Sequence, residues 1–225
     1  MHQRWANLLF LHWRWDPNEI QRSLPAGLTV DTWNGEAWLG VVPFYMRGVR
    51  PVGCPPVPWL SNFLELNVRT YVRDAAGRPG VWFYSLDCNQ PVAVWLARTL
   101  FHLPYWHASM QAGMLADGSV CYECRRAGSA GTARFTYRAD GHQNPATAGT
   151  LEEFLVERYR LFSTKRGRIH SGQVWHAPYK IAPAVVPVWS AHSLELEGFK
   201  PPGRFPDHAI VSAGVDVLIY PLRRS

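Results

Sequence analysis

Lysine is scarce in this chain. Only three of its 23 basic side chains are lysines, Lys165, Lys180 and Lys200, and the others are arginines. The arginine excess has two interpretations: guanidinium groups grip phosphates and carboxylates through two parallel hydrogen bonds, or the excess reflects a GC-rich genome. The net charge is +6, but the arginines are scattered and the longest basic cluster spans residues 165–168. We therefore expect no nucleic-acid partner.

Several motifs that would reveal a chemistry are missing as well. The sequence has no glycine-rich phosphate loop, no Gly-x-Ser-x-Gly nucleophile motif and no His-Glu-x-x-His zinc motif. It also lacks an apolar run of the roughly 18 residues that a membrane-spanning helix needs. We therefore predict no cofactor and no membrane partner, while the oligomeric state stays open.

Cysteine occurs at four positions only, Cys54, Cys88, Cys121 and Cys124. The chain opens on a stretch rich in tryptophan, histidine and arginine, unlike a secretory signal, so we expect a cytoplasmic protein with free thiols. Cys121 and Cys124 would supply half of a tetrahedral zinc site. Residues three apart on a strand point to opposite faces, so no metal site is predicted.

The rest of the pattern is typical of a mainly antiparallel protein. Asn34-Gly35 predicts a hairpin turn between strands near 28–33 and 36–47. Because strands and helices do not alternate and no linker is visible, the pattern indicates one α+β domain over residues 1–225. Further strands are predicted near residues 4–15, 62–73, 80–88, 106–115, 119–126, 132–138, 169–182 and 208–222.

Three helices are predicted. Asp16 before Pro17 marks the start of a short helix that ends near residue 25. Residues 92–102 suit a second helix, which must stop before Pro104. The third and longest, 151–163, begins at a capping box formed by Thr150 and Glu153 and places its apolar side chains on one stripe.

Several stretches follow one family pattern, and in order along the chain they read FLHWRWDP, NGEAWLGVVPF, NFLELNVRTYV, PGVWFYSLD, LPYWHA, LEEFLVERYRLF and HAPYKIAP. They resemble the YqjF-like family of bacterial proteins. The match covers nearly the whole chain, and the family is similar in fold to acetoacetate decarboxylase. The resemblance therefore implies a mainly antiparallel, cone-like β-barrel with an internal pocket and two or three peripheral helices, but it implies no reaction.

The resemblance also shows that one chemistry is lost. In the decarboxylases, a lysine after a helix forms a Schiff base with the ketone, and a neighbouring lysine lowers its pKa. The comparable segment here, after the 92–102 helix, reads Pro104-Tyr105-Trp106. Neither a phenol nor an indole can form an imine, so the decarboxylase mechanism is excluded. Lys180, in a predicted strand, is the one candidate for a relocated Schiff base.

Glu65 looks like the counterpart of a glutamate that the decarboxylases place on a strand after a proline-rich loop. Alternate residues of a strand share a face, so Glu65, Asn67 and Arg69 point together, toward solvent or, as the resemblance implies, into the pocket. In the pocket, Glu65 would move a proton and Arg69 would hold a carboxylate, with Asn67 beside them. Arg47, at the end of the preceding hairpin, is a possible partner for Glu65.

The segment Tyr105–His107 takes the place of the lysine pair and is expected to approach the same pocket. Tyr105 is a candidate hydrogen-bond donor, and His107 is a candidate acid or base near neutral pH. The alternative is that both, with Trp106, merely fill space. His12 and His176 are further candidates for ligand contacts, each with the alternative of a purely structural role.

Two functions stay open at this point. One is an enzyme that acts on a small organic acid or carbonyl compound without a Schiff base, which the retained Glu65 favours. The other is a non-catalytic small-molecule binding protein that kept the pocket, which the missing lysine pair favours. A protein–protein or nucleic-acid module is a third and weaker hypothesis, because fold alone does not select a function.

Overall fold

In a computed structural model, which describes residues 1–224, most of the chain is extended. The strands join into a single, mainly antiparallel sheet. They are β1 (His2–Trp15), β2 (Leu28–Val30), β3 (Ala37–Arg50), β4 (Phe63–Asp74), β5 (Pro79–Cys88), β6 (Tyr105–Met114), β7 (Val120–Arg126), β8 (Ala133–Ala139), β9 (Asn144–Pro145), β10 (Arg160–Lys165), β11 (Arg168–His176), β12 (Lys180–Val188), β13 (His208–Ile219) and β14 (Arg223–Arg224).

The helices are short. They are α1 (Pro17–Ser23), α2 (Pro91–Leu96), α3 (Leu151–Val156) and α4 (His192–Glu195), and a π-helical turn, Ala97–Phe101, continues α2. The predicted caps are present, since Asp16 accepts a hydrogen bond from the backbone of Asn18 and Thr150 accepts one from Glu153. Within residues 1–224, no helix has the length and apolar character needed to cross a membrane.

The strand pairings return to their starting point. β1 pairs antiparallel with β13 and β3, β3 pairs with β4, and β4 pairs with β5. β5 then pairs parallel with β10, β10 pairs with β11, and β11 pairs with β13. These seven strands therefore form a closed circuit of pairings, which we call the strand circuit. A second path, through β6, β7, β8 and β12, also joins β5 to β13.

The long strands are buried on both faces. All of the first ten residues of β3 are buried, because one face packs in a core around Leu11, Trp13 and Leu39, and the other in a core around Phe10 and Phe44. Strands covered on both sides read as continuous apolar runs rather than alternating ones.

A bulge in β1 changes which of its residues share a face. Asn7 has a φ of 50°, and the register of β1 against β3 shifts by one residue between Ala6 and Leu11. An inserted residue shifts the side-chain alternation by one position. Trp5 before the bulge and Leu8 after it consequently belong to the same core cluster.

The longest predicted helix is wrong in its second half. The helix that begins after Thr150 ends at Val156, and residues 160–163 lie in β10, which forms a hairpin with β11. The turn between these strands places Arg166 and Gly167 at φ angles of 50° and 72°, the conformation of a tight hairpin turn. Pairing with β5 and β11 therefore outweighs the helical spacing of the apolar residues.

Several other predicted strands and the predicted turn are confirmed. The predicted strands at 62–73, 80–88, 106–115, 119–126 and 132–138 are confirmed with ends shifted by about one residue. Asn34-Gly35 forms a tight turn closed by Trp33 and Glu36. The strand before that turn, however, pairs with β4 rather than β3, and the predicted strand 169–182 is divided between β11 and β12.

We expect Gly80→Ala to destabilise the protein by about 1–3 kcal/mol, the usual cost of overpacking. A Cβ at Gly80 would lie 2.6 Å from the backbone oxygen of Arg160 and 2.7 Å from Phe162, where β5 meets β10. Urea unfolding measures the change. Gly113→Ala is the matched control on β6, since a Cβ there meets nothing within 4 Å. Equal stability of the two variants would argue against the β5–β10 pairing.

Candidate functional site

A cavity of about 550 Å³ lies among the strands of the circuit. Each of the seven strands contributes side chains to its wall. Further wall residues come from α2, the π-helical turn, the loop 51–60, the start of β6, the end of α3 and the segments that follow α3 and β11. The wall is mainly apolar, as is usual for small-molecule sites. The charged or amide-bearing side chains and the histidine that line it are Gln3, Arg50, Glu65, Asn67, Arg69, Arg158, Arg160 and His176.

Strand β4 supplies the central polar group. Glu65, Asn67 and Arg69 line the cavity, while the intervening Leu66 and Val68 pack in the core on the other face of the sheet. Glu65 is 3% exposed and Arg69 is 8% exposed. The structure therefore places these three side chains inside the protein, in the alternation that the sequence predicts.

Glu65 and Tyr105 form a buried hydrogen-bonded pair. The Tyr105 hydroxyl donates to Oε2 of Glu65 at 2.7 Å. Burial raises the pKa of Glu65 from 4.5 to about 7, although the side chains of Tyr105 and Asn67 oppose the rise. A carboxyl group with this pKa exchanges its proton readily at neutral pH. Burial and the nearby Glu65 also raise the pKa of Tyr105, so Tyr105 stays a donor.

Arg69 carries a buried charge among neutral neighbours. Its Nη2 donates to the Tyr71 hydroxyl at 3.3 Å and to the Leu155 carbonyl at 3.1 Å. Its Nε has no hydrogen-bond partner, and the guanidinium lies over the ring of Phe10 at 5.3 Å. Among residues 1–224, no carboxylate forms an ion pair with Arg69.

His12 lies behind Arg69 rather than in the cavity wall. Its Nε2 is 2.7 Å from the Tyr71 hydroxyl, and its Nδ1 is 3.4 Å from Nδ1 of His208. Burial, His208 and Arg69 all lower the pKa of His12, so its ring is neutral at pH 7. His12 therefore orients Tyr71, which in turn accepts a hydrogen bond from Arg69.

His176 and Arg158 occupy the wall near Arg69. Nδ1 of His176 lies 2.8 Å from the Ala177 carbonyl, which can only accept, so Nδ1 carries the proton and Nε2 is left as an acceptor. Burial lowers the pKa of His176. The charge of Arg158 is balanced by Asp31, at 2.8 Å from its Nη1. Arg69 thus remains the unbalanced charge of this region.

Besides His12, three predicted site residues lie outside the cavity. Arg47 is exposed and lies over the ring of Tyr45, which packs in the opposite core, so its predicted pairing with Glu65 is wrong. Trp106 is 42% exposed, with the guanidinium groups of Arg98 and Arg126 over its ring, and His107 is exposed. Alternation on β6 explains why Trp106 faces away from Tyr105, but it does not explain the exposure of His107.

Lysine is absent from the cavity wall as far as the structure describes it. Lys165, Lys180 and Lys200 are all exposed, so Lys180 is not placed to form a Schiff base with a ligand in the cavity. Within residues 1–224, no group of three or more histidine, cysteine or acidic side chains is arranged to hold a metal ion. The four cysteines are unpaired.

Sequence reasoning missed several polar residues of the wall. Gln3 precedes the strand predicted over 4–15, and it lines the cavity with Trp5 because alternate residues of β1 share a face. Arg158 falls within the helix predicted over 151–163, but α3 ends before it and its side chain lines the cavity. Tyr179 lies in the break between β11 and β12, where the sequence pattern predicts a continuous strand.

The fold occurs in several solved structures. The enduracididine biosynthesis enzyme MppR complexed with pyruvate superposes with a TM-score of 0.68 over 99% of this chain and 89% of that chain, at 12% identity. An acetoacetate decarboxylase-like enzyme from Sphingomonas wittichii RW1 gives 0.66 over 100% and 92%, at 16% identity. Acetoacetate decarboxylase from Legionella pneumophila gives 0.63 over 100% and 87%, at 12% identity. The similarity establishes an acetoacetate decarboxylase-like fold.

Sequence similarity relates the chain to one further protein and to one protein family. The chain is 34% identical to the uncharacterized protein YqjF of Bacillus subtilis (strain 168) over 229 aligned positions, which cover 100% of this chain and 92% of that protein. Residues 2–216 match the profile of an uncharacterized conserved protein family, DUF2071. The chain therefore belongs to the DUF2071 family, is similar in sequence to YqjF and has an acetoacetate decarboxylase-like fold.

Proposed function

We propose that the strand circuit encloses a cone-like barrel whose cavity binds a small, largely apolar carboxylic or keto acid. Glu65 then moves a proton of the bound compound, without a Schiff base. The observation that carries this proposal is the buried guanidinium of Arg69, which has neutral partners and a free Nε.

The energetic argument begins with the charge of Arg69. A buried charge is costly unless an opposite charge and hydrogen bonds compensate it. A ligand carboxylate beside Arg69 supplies both, and its oxygens match the guanidinium donors. The apolar side chains that make up most of the wall favour a hydrocarbon body on the same ligand.

Proton transfer is argued from Glu65. Its pKa of about 7 lets it take up and release a proton near neutral pH, as a general base and acid must. Glu65 and Arg69 are about 13 Å apart along the β4 backbone, judged from the rise of a strand. Arg69 turns its guanidinium to Tyr71 and Leu155, so a ligand that contacts both Arg69 and Glu65 must span the space between them. A keto acid whose carbonyl group lies several carbons from its carboxylate fits this spacing, and one structure with this fold holds a smaller keto acid, pyruvate.

A second candidate is a binding protein that uses the same cavity without catalysis. The observation that favours it is the cavity wall itself, which within the described residues offers no lysine for imine chemistry. Ligand binding is common to both candidates, and proton transfer separates them.

We expect octanoate to stabilise the protein against thermal unfolding through Arg69. A ligand at 100 times its dissociation constant adds about 2.7 kcal/mol. Arg69→Met should lose the stabilisation by octanoate but keep any stabilisation by the neutral octan-1-ol, which also shows that the variant is folded. Arg138→Met, an exposed arginine on β8, is the control. An unchanged octanoate effect in Arg69→Met would refute the carboxylate site.

We expect the stability of the wild type relative to Glu65→Gln to decrease as the pH rises. Between pH 4.5 and about 7, Glu65 keeps its proton in the folded protein but has released it in the unfolded chain. The free energy of unfolding therefore decreases as the pH rises through this range. A shift from 4.5 to about 7 corresponds to a loss on the order of 3 kcal/mol. Urea unfolding from pH 4.5 to 8 measures it, with the exposed Glu36→Gln as control. A difference that stays flat would show that Glu65 is not desolvated.

We expect the wild type to accelerate exchange of the protons beside the ketone of 7-oxooctanoate with deuterium oxide, followed by proton NMR. Glu65→Gln should slow the exchange by about 10²–10⁴-fold, the usual contribution of a general base, while 7-oxooctanoate still stabilises the variant. Binding without exchange in the wild type would favour the non-catalytic candidate.

A further inference from the structure

A second recess adjoins the cavity at the ends of β1 and β3. We call it the basic recess, and its volume is about 300 Å³. Three arginines dominate its wall, and it shares Gln3 and Arg50 with the larger cavity. Its residues are His2, Gln3, Arg4, Arg47, Gly48, Arg50 and Asp216.

Gln3 stands at the junction of the two spaces with unused hydrogen-bonding capacity. It is 4% exposed, and neither Nε2 nor Oε1 of its side chain has a partner. Native proteins rarely leave a buried amide unsatisfied, because its desolvation is not offset. The side chain is therefore available to a polar group that passes from the recess into the cavity.

The basic recess holds more positive than negative charge. Asp216 pairs with Arg4 at 3.2 Å. Arg50 donates to the Gly48 carbonyl, and Arg47 lies over the Tyr45 ring. In the described part of the chain, neither Arg47 nor Arg50 forms an ion pair with a carboxylate. Two guanidinium groups on the same strand are thus free to bind an anion.

The recess and Arg69 lie at opposite ends of the cavity. The pairing of β1, β3 and β4 places Arg69 level with Gly40 and His12, nine positions along β1 from Gln3. At the rise of a strand this is roughly 25–30 Å. An anion in the recess is therefore separate from a carboxylate at Arg69.

We propose that the basic recess binds the phosphate of a phosphate monoester whose hydrocarbon chain extends past Gln3 into the cavity. A phosphate dianion offers three acceptor oxygens, which suit two guanidinium forks and an amide donor. The apolar residues of the cavity then cover the chain. This site involves neither Glu65 nor Arg69, so its test is independent of the tests of the function proposed above.

Decyl phosphate and decan-1-ol are the probes, and isothermal titration calorimetry measures their affinities. We expect decyl phosphate to bind the wild type at least tenfold more tightly than decan-1-ol, since a favourable charge contact of about 1.4 kcal/mol has that effect. In the double variant Arg47→Met/Arg50→Met, the affinity for decyl phosphate should fall to that for decan-1-ol, which should itself be unchanged. Arg22→Met/Arg138→Met, two exposed arginines elsewhere, is the control.

Two results would overturn the proposal. One is a double variant that binds decyl phosphate as the wild type does. The other is an affinity that falls in Arg69→Met instead, which would place the phosphate at the far end of the cavity. Rising salt should weaken decyl phosphate binding to the wild type more than to the double variant, because screening acts on exposed charges.

The phosphate monoester has two possible sources, a membrane lipid and a soluble metabolite. Sedimentation with vesicles that contain phosphatidic acid separates them. Pelleting of the wild type but not of the double variant identifies a lipid headgroup. Binding of decyl phosphate without pelleting identifies a soluble ester.

Discussion

Strand β4 must be buried on both faces, and the rest of the structure depends on that constraint. One face is apolar and packs in a solid core, while the other carries Glu65, Asn67 and Arg69. A polar face can be buried only if a further layer of chain covers it. The parallel pairing of β5 with β10 and the return through β11 to β13 provide that layer. The circuit thereby turns an otherwise solvated strand face into an interior wall.

Local rules in the sequence were enough to locate most of the strands and the caps. Asp16, Thr150 and Asn34-Gly35 act through hydrogen bonds and φ preferences within a few residues, so their effects can be read without knowing the fold. The helix predicted over 151–163 is wrong in its second half because the apolar side chains there suit both a helix and a strand. Only the distant partner β5 decides between them, and pairing across the chain is invisible to local propensity.

The site was predictable to the extent that strand alternation controls it. Alternation on β4 groups Glu65, Asn67 and Arg69 on one face, and the family resemblance directs that face and Tyr105 toward the pocket. The same rule would have turned His107 inward with Tyr105, but it lies exposed, and Trp106 faces out. The direction of Arg158 could not be predicted because it depends on where α3 ends, two residues earlier. The predicted pairing of Arg47 with Glu65 is wrong because β3 extends beyond the cavity and the Arg47 side chain lies on the opposite face of the sheet.

The segment whose counterpart in the decarboxylases holds a lysine pair, as the resemblance implies, reads Tyr105-Trp106 in this chain, and this difference bears on Glu65. A lysine amine beside Glu65 would balance its charge and hold the carboxyl ionised. The Tyr105 hydroxyl, at 2.7 Å, is neutral, so desolvation dominates and the pKa of Glu65 rises to about 7. Glu65 can therefore carry a proton at neutral pH. Arg69 is buried without a carboxylate partner among the described residues, so the electrostatics around it favour an anion.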